Sequence, residues 1–215
     1  MQLVYLHGFA SSARSSKAAW FGDRAAEHDL RLVTPDFNQP DFEHLTITRM
    51  LAQVAEVIER LPAGPVALIG SSLGGFVAVQ AARQLSRRVD RLVLLAPALD
   101  FSANRLHDLG DRGVDEWRRT GILNVFHYGF GRLMPVHFGL YEDAAGYDAL
   151  DAIVTQPVQI FQGRRDTAVS PETVEQWART RSGVELHLLD DDHQLMASLP
   201  VIWRAMQSFL HIPPA

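Results

Sequence analysis

The chain has no cysteine in its 215 residues. That absence excludes disulfides, thiolate nucleophiles and thiolate metal sites. It also lacks an excess of basic charge. With 20 Lys and Arg against 25 Asp and Glu, the formal charge is −5 and no basic stripe exists to neutralise phosphates, so nucleic acid is not an expected partner. No apolar run approaches the ~20 residues that a membrane-spanning helix needs. "MQLVYL" leads straight into a glycine turn, without a basic n-region or a small-residue cleavage site. No signal peptide is therefore expected, and a cytoplasmic location is the default. Internal repeats and low-complexity stretches are missing too. What remains is ordinary globular composition, 47% hydrophobic and 21% charged, and long enough for one domain with a sizeable core.

Short apolar, β-branched runs alternate with longer helical patterns. The runs are "LVYL" (3–6), "RLVTP" (31–35), "VALIG" (66–70), "RLVLLAP" (91–97), "VQIFQG" (158–163) and "VELHLL" (184–189). Several are apolar nearly throughout, as parallel strands covered on both faces should be. Between them, residues 45–61 place Ile47, Met50, Leu51, Val54, Ile58 and Leu61 on one helical stripe. Residues 73–85 are apolar almost all round, and 198–210 carry Ile202, Trp203, Met206 and Phe209 on one face. This alternation predicts an α/β fold, a doubly wound and mostly parallel six-stranded sheet. The rhythm breaks between 99 and 155, a segment rich in Phe, Tyr, His, Trp and Gly. Helical pieces are expected near 113–121 and 144–153, making a small helical insertion within the single domain 1–215.

One stretch carries chemistry. Gly70-Ser71-Ser72-Leu73-Gly74 fits G-x-S-x-G, the nucleophile elbow, in which a strand reverses sharply into a helix and side chains two before or two after the serine would clash. The frame selects Ser72. Ser71 would need glycines where Ile69 and Leu73 stand, and reads as a turn residue satisfying a backbone group. A buried strand before the motif and a buried helix after it supply the context that the short pattern needs.

A serine nucleophile requires a base and a group to orient that base. In this architecture they follow in the order Ser, acid, His, each beyond the carboxyl end of a strand. Asp166 comes just past the fifth run and His193 just past the sixth. Asp100, after the fourth run, is the rival acid. Asp190, Asp191 and Asp192 lie too close in sequence to reach the far ring nitrogen of His193. Two oxyanion donors are expected, the N–H of Leu73 at the helix start and the N–H of Phe9 in the turn "YLHGFASS". His7 reads as a buried brace of that turn rather than a second base.

Together these pieces resemble the α/β-hydrolase superfamily, and within it the small bacterial YqiA-type serine esterases. The resemblance rests on "YLHGFASSARSSKA" (5–18), "GSSLGG" (70–75), "GRRD" (163–166) and "DDDHQL" (190–195). It implies a Ser72, Asp166, His193 triad, oxyanion donors at Phe9 and Leu73, and ester hydrolysis without a cofactor. It also implies a minimal sheet with strand order 2-1-3-4-5-6. The segment 99–155 departs most from the short relatives.

Substrate contacts are open at this stage. Phe126, Tyr128, Phe130, Phe138 and Tyr141 either line an acyl or alcohol pocket beneath a lid formed by 99–155 or pack that insertion onto the sheet. Arg14 and Lys17 either receive a substrate carboxylate or phosphate at the start of the first helix or are solvated and paired. His127 and His137 lack acidic companions at metal-ligand spacing, so no metal is expected. The expected activity is a carboxylesterase acting on a small-molecule ester. Thioesters, amides and carbon–carbon bonds are alternatives on the same triad, and a non-catalytic binding module is the alternative of another class. The oligomeric state, a homo-oligomer included, is left open.

Overall fold

The computed structural model describes residues 1–101 and 110–213. Six parallel strands form one sheet: β1 (Gln2–Leu6), β2 (Leu32–Val33), β3 (Val66–Ser71), β4 (Val89–Leu95), β7 (Val158–Gly163) and β8 (Val184–Leu189), in the order β2-β1-β3-β4-β7-β8. Two further strands, β5 (Ile122–His127) and β6 (Arg132–His137), pair only with each other as an antiparallel hairpin. With that hairpin set aside, the order is the 2-1-3-4-5-6 pattern expected.

The central strands are largely apolar because both sheet faces are covered. Leu3, Tyr5, Ala67, Ile69, Val93 and Leu95 point to α1 (Ser16–Ala26) and α7 (Leu199–Phe209), where Phe21, Ile202, Trp203 and Met206 close the layer. Val4, Leu6, Val66, Leu68, Leu92 and Leu94 point the other way, to α2 (Ile47–Arg60), α3 (Leu73–Gln84) and α6 (Pro171–Arg179). Alternation along a strand thus sends successive apolar residues into two different cores. The stripe foreseen for 45–61 buries Ile47, Met50, Leu51, Val54 and Ile58, and Thr46 caps the helix by accepting the Arg49 N–H at 3.1 Å.

The insertion differs from an all-helical one. It holds α4 (Gly110–Thr120), the hairpin and α5 (Gly139–Ala144). No helix spans 144–153; the chain turns there instead, Asp148 accepting the N–H groups of Leu150 and Asp151. The hairpin of "ILNVFH" and "RLMPVH" turns through the glycines at 129 and 131. Residues 102–109 of the expected insertion lie outside the described residues.

Candidate active site

The loops that follow β1, β3, β7 and β8 meet at the carboxyl edge of the sheet, where open α/β sheets place their ligands. Ser72 lies between β3 and α3 at φ 53° and ψ −117°, a left-handed backbone that a serine adopts only under constraint. The constraint is visible. Its N–H donates to Leu95 O at 2.9 Å, and its own carbonyl accepts from Gly75 at 2.8 Å and Ala98 at 3.1 Å. A side chain at Gly70 would run into the backbone of Gly74, and one at Gly74 into the backbone of Leu6. The glycine frame is therefore a packing requirement.

His193 faces Ser72 from the loop after β8. The His193 Nε2–Ser72 Oγ distance is 3.2 Å, and His193 Nδ1 lies 2.8 Å from Asp166 Oδ2. A carboxylate only accepts, so Nδ1 carries the proton and Nε2 is left to accept from the serine hydroxyl. Asp166 is buried and held by four donors. His193 and the Gln162 amide, at 2.9 Å, share Oδ2, while the N–H groups of Ala168 and Val169, both at 2.8 Å, meet Oδ1. Burial pushes its pKa up, but the hydrogen bond and charge of His193 and the two backbone donors outweigh that and hold the carboxyl below its ordinary range. The carboxylate against His193 is thus Asp166 and not Asp100. Gln162 escaped the sequence reading because it lies inside a strand run, where its side chain reads as part of the sheet.

Gly8 passes directly over the serine. A Cβ added there would lie 3.3 Å from both Ser72 Cβ and Ser71 O. Among the described residues the N–H of Phe9 has no hydrogen-bond partner, and that of Leu73 is one of the free donors at a helix start. His7 is buried; it accepts the Phe37 N–H at Nε2 (3.0 Å) and donates from Nδ1 to Gly8 O (2.9 Å), which ties the turn to the loop after β2. Ser71 closes β3 with its hydroxyl near the buried phenol of Tyr5.

The five insertion aromatics divide. Phe126, Tyr128 and Phe130 sit at the hairpin tip, exposed at 50, 77 and 48%. Phe138 and Tyr141 instead stack on one another, centroids 5.2 Å apart, against Trp117, at the start of α5. The hairpin is fastened to the turn after β1. Tyr128 N–H donates to Ala10 O at 2.8 Å, and the buried His127 donates from Nε2 to Asn38 Oδ1 (3.1 Å), whose amide reaches Ser11 O (2.9 Å). Phe130 N–H fills His127 Nδ1 at 3.2 Å. Burial lowers the His127 pKa, with a smaller contribution from His7. Arg14 is exposed, whereas Lys17 is buried, and burial pushes its ammonium down to about 8 against the charges of Asp166, Asp192 and Asp191. Among the described residues no group of three or more His, Asp or Glu could hold a metal, and no helix is long and apolar enough to cross a membrane.

Comparison with known proteins adds the relatives. The profile described as "Uncharacterised protein family (UPF0227)" matches residues 2–210. The mitochondrial palmitoyl-protein thioesterase ABHD10 of Bos taurus is 21% identical over 204 residues, covering 90% of this chain and 67% of its own length. The protein of that name in Rattus norvegicus is 21% identical over 175 residues, and the chain spans only 59% of it. Among solved structures, mouse alpha/beta hydrolase domain-containing protein 10 superposes with a TM-score of 0.83 at 20% identity, covering 98% of this chain and 89% of the other. Est1E from Butyrivibrio proteoclasticus, with ferulic acid bound, superposes with a TM-score of 0.82 at 18% identity, covering 98% and 88%. The sheet and its helices are those of the α/β-hydrolase superfamily.

Proposed function

Because this chain belongs to the uncharacterised protein family UPF0227, whose description assigns no chemistry, we propose its activity from the site: it is a serine hydrolase that cleaves carboxylic esters through an acyl-enzyme. The observation that carries this reading is the unbroken relay from Asp166 to His193 to Ser72, at 2.8 and 3.2 Å, ending on a serine at φ 53°. Ser72 Oγ attacks the acyl carbon while its proton passes to His193 Nε2. The carbonyl oxygen, now anionic, is received by the N–H groups of Phe9 and Leu73. Collapse breaks the ester C–O bond, and His193 returns the proton to the departing alcohol. Water then gives a proton to His193 as it attacks the acyl-enzyme; the acid leaves and Ser72 regains its hydrogen. The insertion within 99–155 acts as the lid, with its hairpin aromatics at the mouth.

A thioester substrate is the second reading, favoured by the palmitoyl-protein thioesterase relatives that span 90% and 78% of this chain. The chemistry is unchanged except that a thiol departs. The test is turnover of p-nitrophenyl acetate through decanoate beside the matching acyl thioesters, for the wild type and Ser72→Ala, with fluorophosphonate labelling read by mass. We expect label on Ser72 and loss of turnover in the variant. Activity that survives Ser72→Ala, or label on Ser71, would overturn the assignment.

A further inference from the structure

The turn after β1 that carries Phe9 is fastened from other parts of the chain. Ala10 stands at φ 52°, a left-handed backbone that is unfavourable for a residue with a Cβ. Its carbonyl accepts the Tyr128 N–H of the hairpin at 2.8 Å, and the next carbonyl, Ser11 O, accepts the Asn38 amide at 2.9 Å. Asn38, in the loop after β2, is buried and uses its amide at both ends: Nδ2 donates to Ser11 O, and Oδ1 accepts from His127 Nε2 at 3.1 Å. His127, at the end of β5, is fully buried, and its Nδ1 accepts the Phe130 N–H at 3.2 Å, which fixes the ring proton on Nε2. The hydrogen bonds therefore run one way, from the hairpin through His127 and Asn38 to the turn.

Packing joins the same residues by a second path. The His127 ring meets Phe42 edge to face, centroids 4.6 Å apart, and Phe42 lies against the ring of Phe9 at 5.5 Å. The hairpin tip also closes on the turn, since a Cβ added at Gly129 would stand 3.0 Å from Ser12 Cβ. Buried polar side chains cost stability unless each group is paired, and an apolar contact would join two segments without that demand. What the hydrogen bonds add is direction. Here it is applied to a carbonyl two residues past Phe9.

We propose that Asn38 and His127 are positioning residues of the oxyanion turn: the clasp from His127 through Asn38 to Ser11 O holds the Phe9 N–H at the oxyanion position, so the hairpin of the insertion sets the catalytic rate as well as covering the site. The inference rests on the serine-hydrolase reading above. It separates two roles of one hairpin. The exposed aromatics at the tip can favour only acyl chains long enough to reach them. The clasp acts on every ester, because each passes through the same oxyanion.

The experiment is steady-state kinetics on p-nitrophenyl acetate and decanoate for wild type, Asn38→Asp, His127→Asn and His127→Gln. Melting temperature is measured alongside, and fluorophosphonate labelling of Ser72 counts the active sites. Asn38→Asp keeps an acceptor for His127 but sets a carboxylate oxygen against Ser11 O, which severs the clasp at the turn. Its kcat per labelled site should fall by about 10- to 100-fold on both esters, with KM within about twofold of wild type. His127→Asn offers an amide only where Nδ1 stands, whereas His127→Gln reaches the Nε2 position and can donate to Asn38. The kcat of His127→Gln should therefore stand about tenfold above that of His127→Asn. A merely structural clasp would lower the melting temperature of both and leave kcat per labelled site alone. Wild-type kcat in Asn38→Asp, a loss confined to the decanoate ester, or a KM that rises with kcat intact overturns the proposal. Should Asn38→Asp fail to fold, the His127 pair decides: equal kcat in the two overturns the proposal, and the gap supports it. Failure of Ser72 to label in the wild type sinks the hydrolase reading itself, a different result from any of these.

Discussion

His193 Nδ1 and Asp166 Oδ2 stand 2.8 Å apart, and the same carboxylate takes three further donors from Gln162, Ala168 and Val169. The carboxylate is thus oriented from behind before it orients the imidazole. Asp166→Asn keeps the shape but offers an amide N–H where an acceptor is needed. His193 would then hold its proton at Nε2 and could not accept from Ser72. We expect kcat to fall by about three to four orders of magnitude with KM little changed. The same carboxyl is held below its ordinary value of 3.8 in the fold, so its contribution to stability is complete above that value and disappears as pH falls through the folded pKa. Urea unfolding between pH 7 and pH 2.5 should show a larger loss for the wild type than for Asp166→Asn. Equal losses would assign the acid sensitivity to other groups.

Gly8 sets a second requirement. Its Cα direction points at Ser72, and an added Cβ would stand 3.3 Å from Ser72 Cβ and from Ser71 O. Neither neighbour can give way, since both belong to the strained elbow. Gly8→Ala should therefore push the turn outward and carry the Phe9 N–H with it. A displaced oxyanion donor predicts about a 10²- to 10³-fold loss in kcat. Binding of a ground-state ester should change little. Near-normal kcat in a folded Gly8→Ala protein would remove Phe9 from the oxyanion role.

The hairpin tip makes a separate prediction about chain length. Phe126 and Tyr128 meet edge to face, with ring centroids 5.3 Å apart, and both are exposed beside the turn that carries Phe9. Replacing either with serine removes apolar surface that only a long acyl chain would reach. The kcat/KM for the decanoate ester should fall by about tenfold while that for acetate stays within about twofold. Because the side chains are exposed, stability should move by no more than about 0.5 kcal/mol, checked by thermal unfolding. Parallel losses on both esters would argue against acyl contact at the tip.

Several of these features were legible before any coordinates. The spacing of Gly70 and Gly74 selects Ser72 because the sharp turn leaves no room for a side chain at either, against the Gly74 backbone for the first and the Leu6 backbone of the adjoining strand for the second. The mostly apolar runs at 66–70, 91–97 and 158–163 announce parallel strands because burial on both faces leaves few polar positions and no alternation. The order of Asp166 and His193 after Ser72 follows from the same topology. By contrast, "ILNVFH" and "RLMPVH" read as part of a helical insertion, since a lone two-stranded hairpin has too little period to stand out among aromatics and histidines.

The sequence by itself determined the sheet, the strained serine and the order in which its partners arrive, all consequences of near-neighbour sterics and of where apolar residues fall. Only the tertiary structure decided between Asp166 and Asp100 as the carboxylate against His193. It alone sent Phe138 and Tyr141 inward while Phe126 and Tyr128 stayed at the tip. Those outcomes depend on which loops the sheet order brings within a few ångströms of one another. Hydrogen bonding acts across that space, as between His193 and Ser72, 121 positions apart, and no local pattern records it.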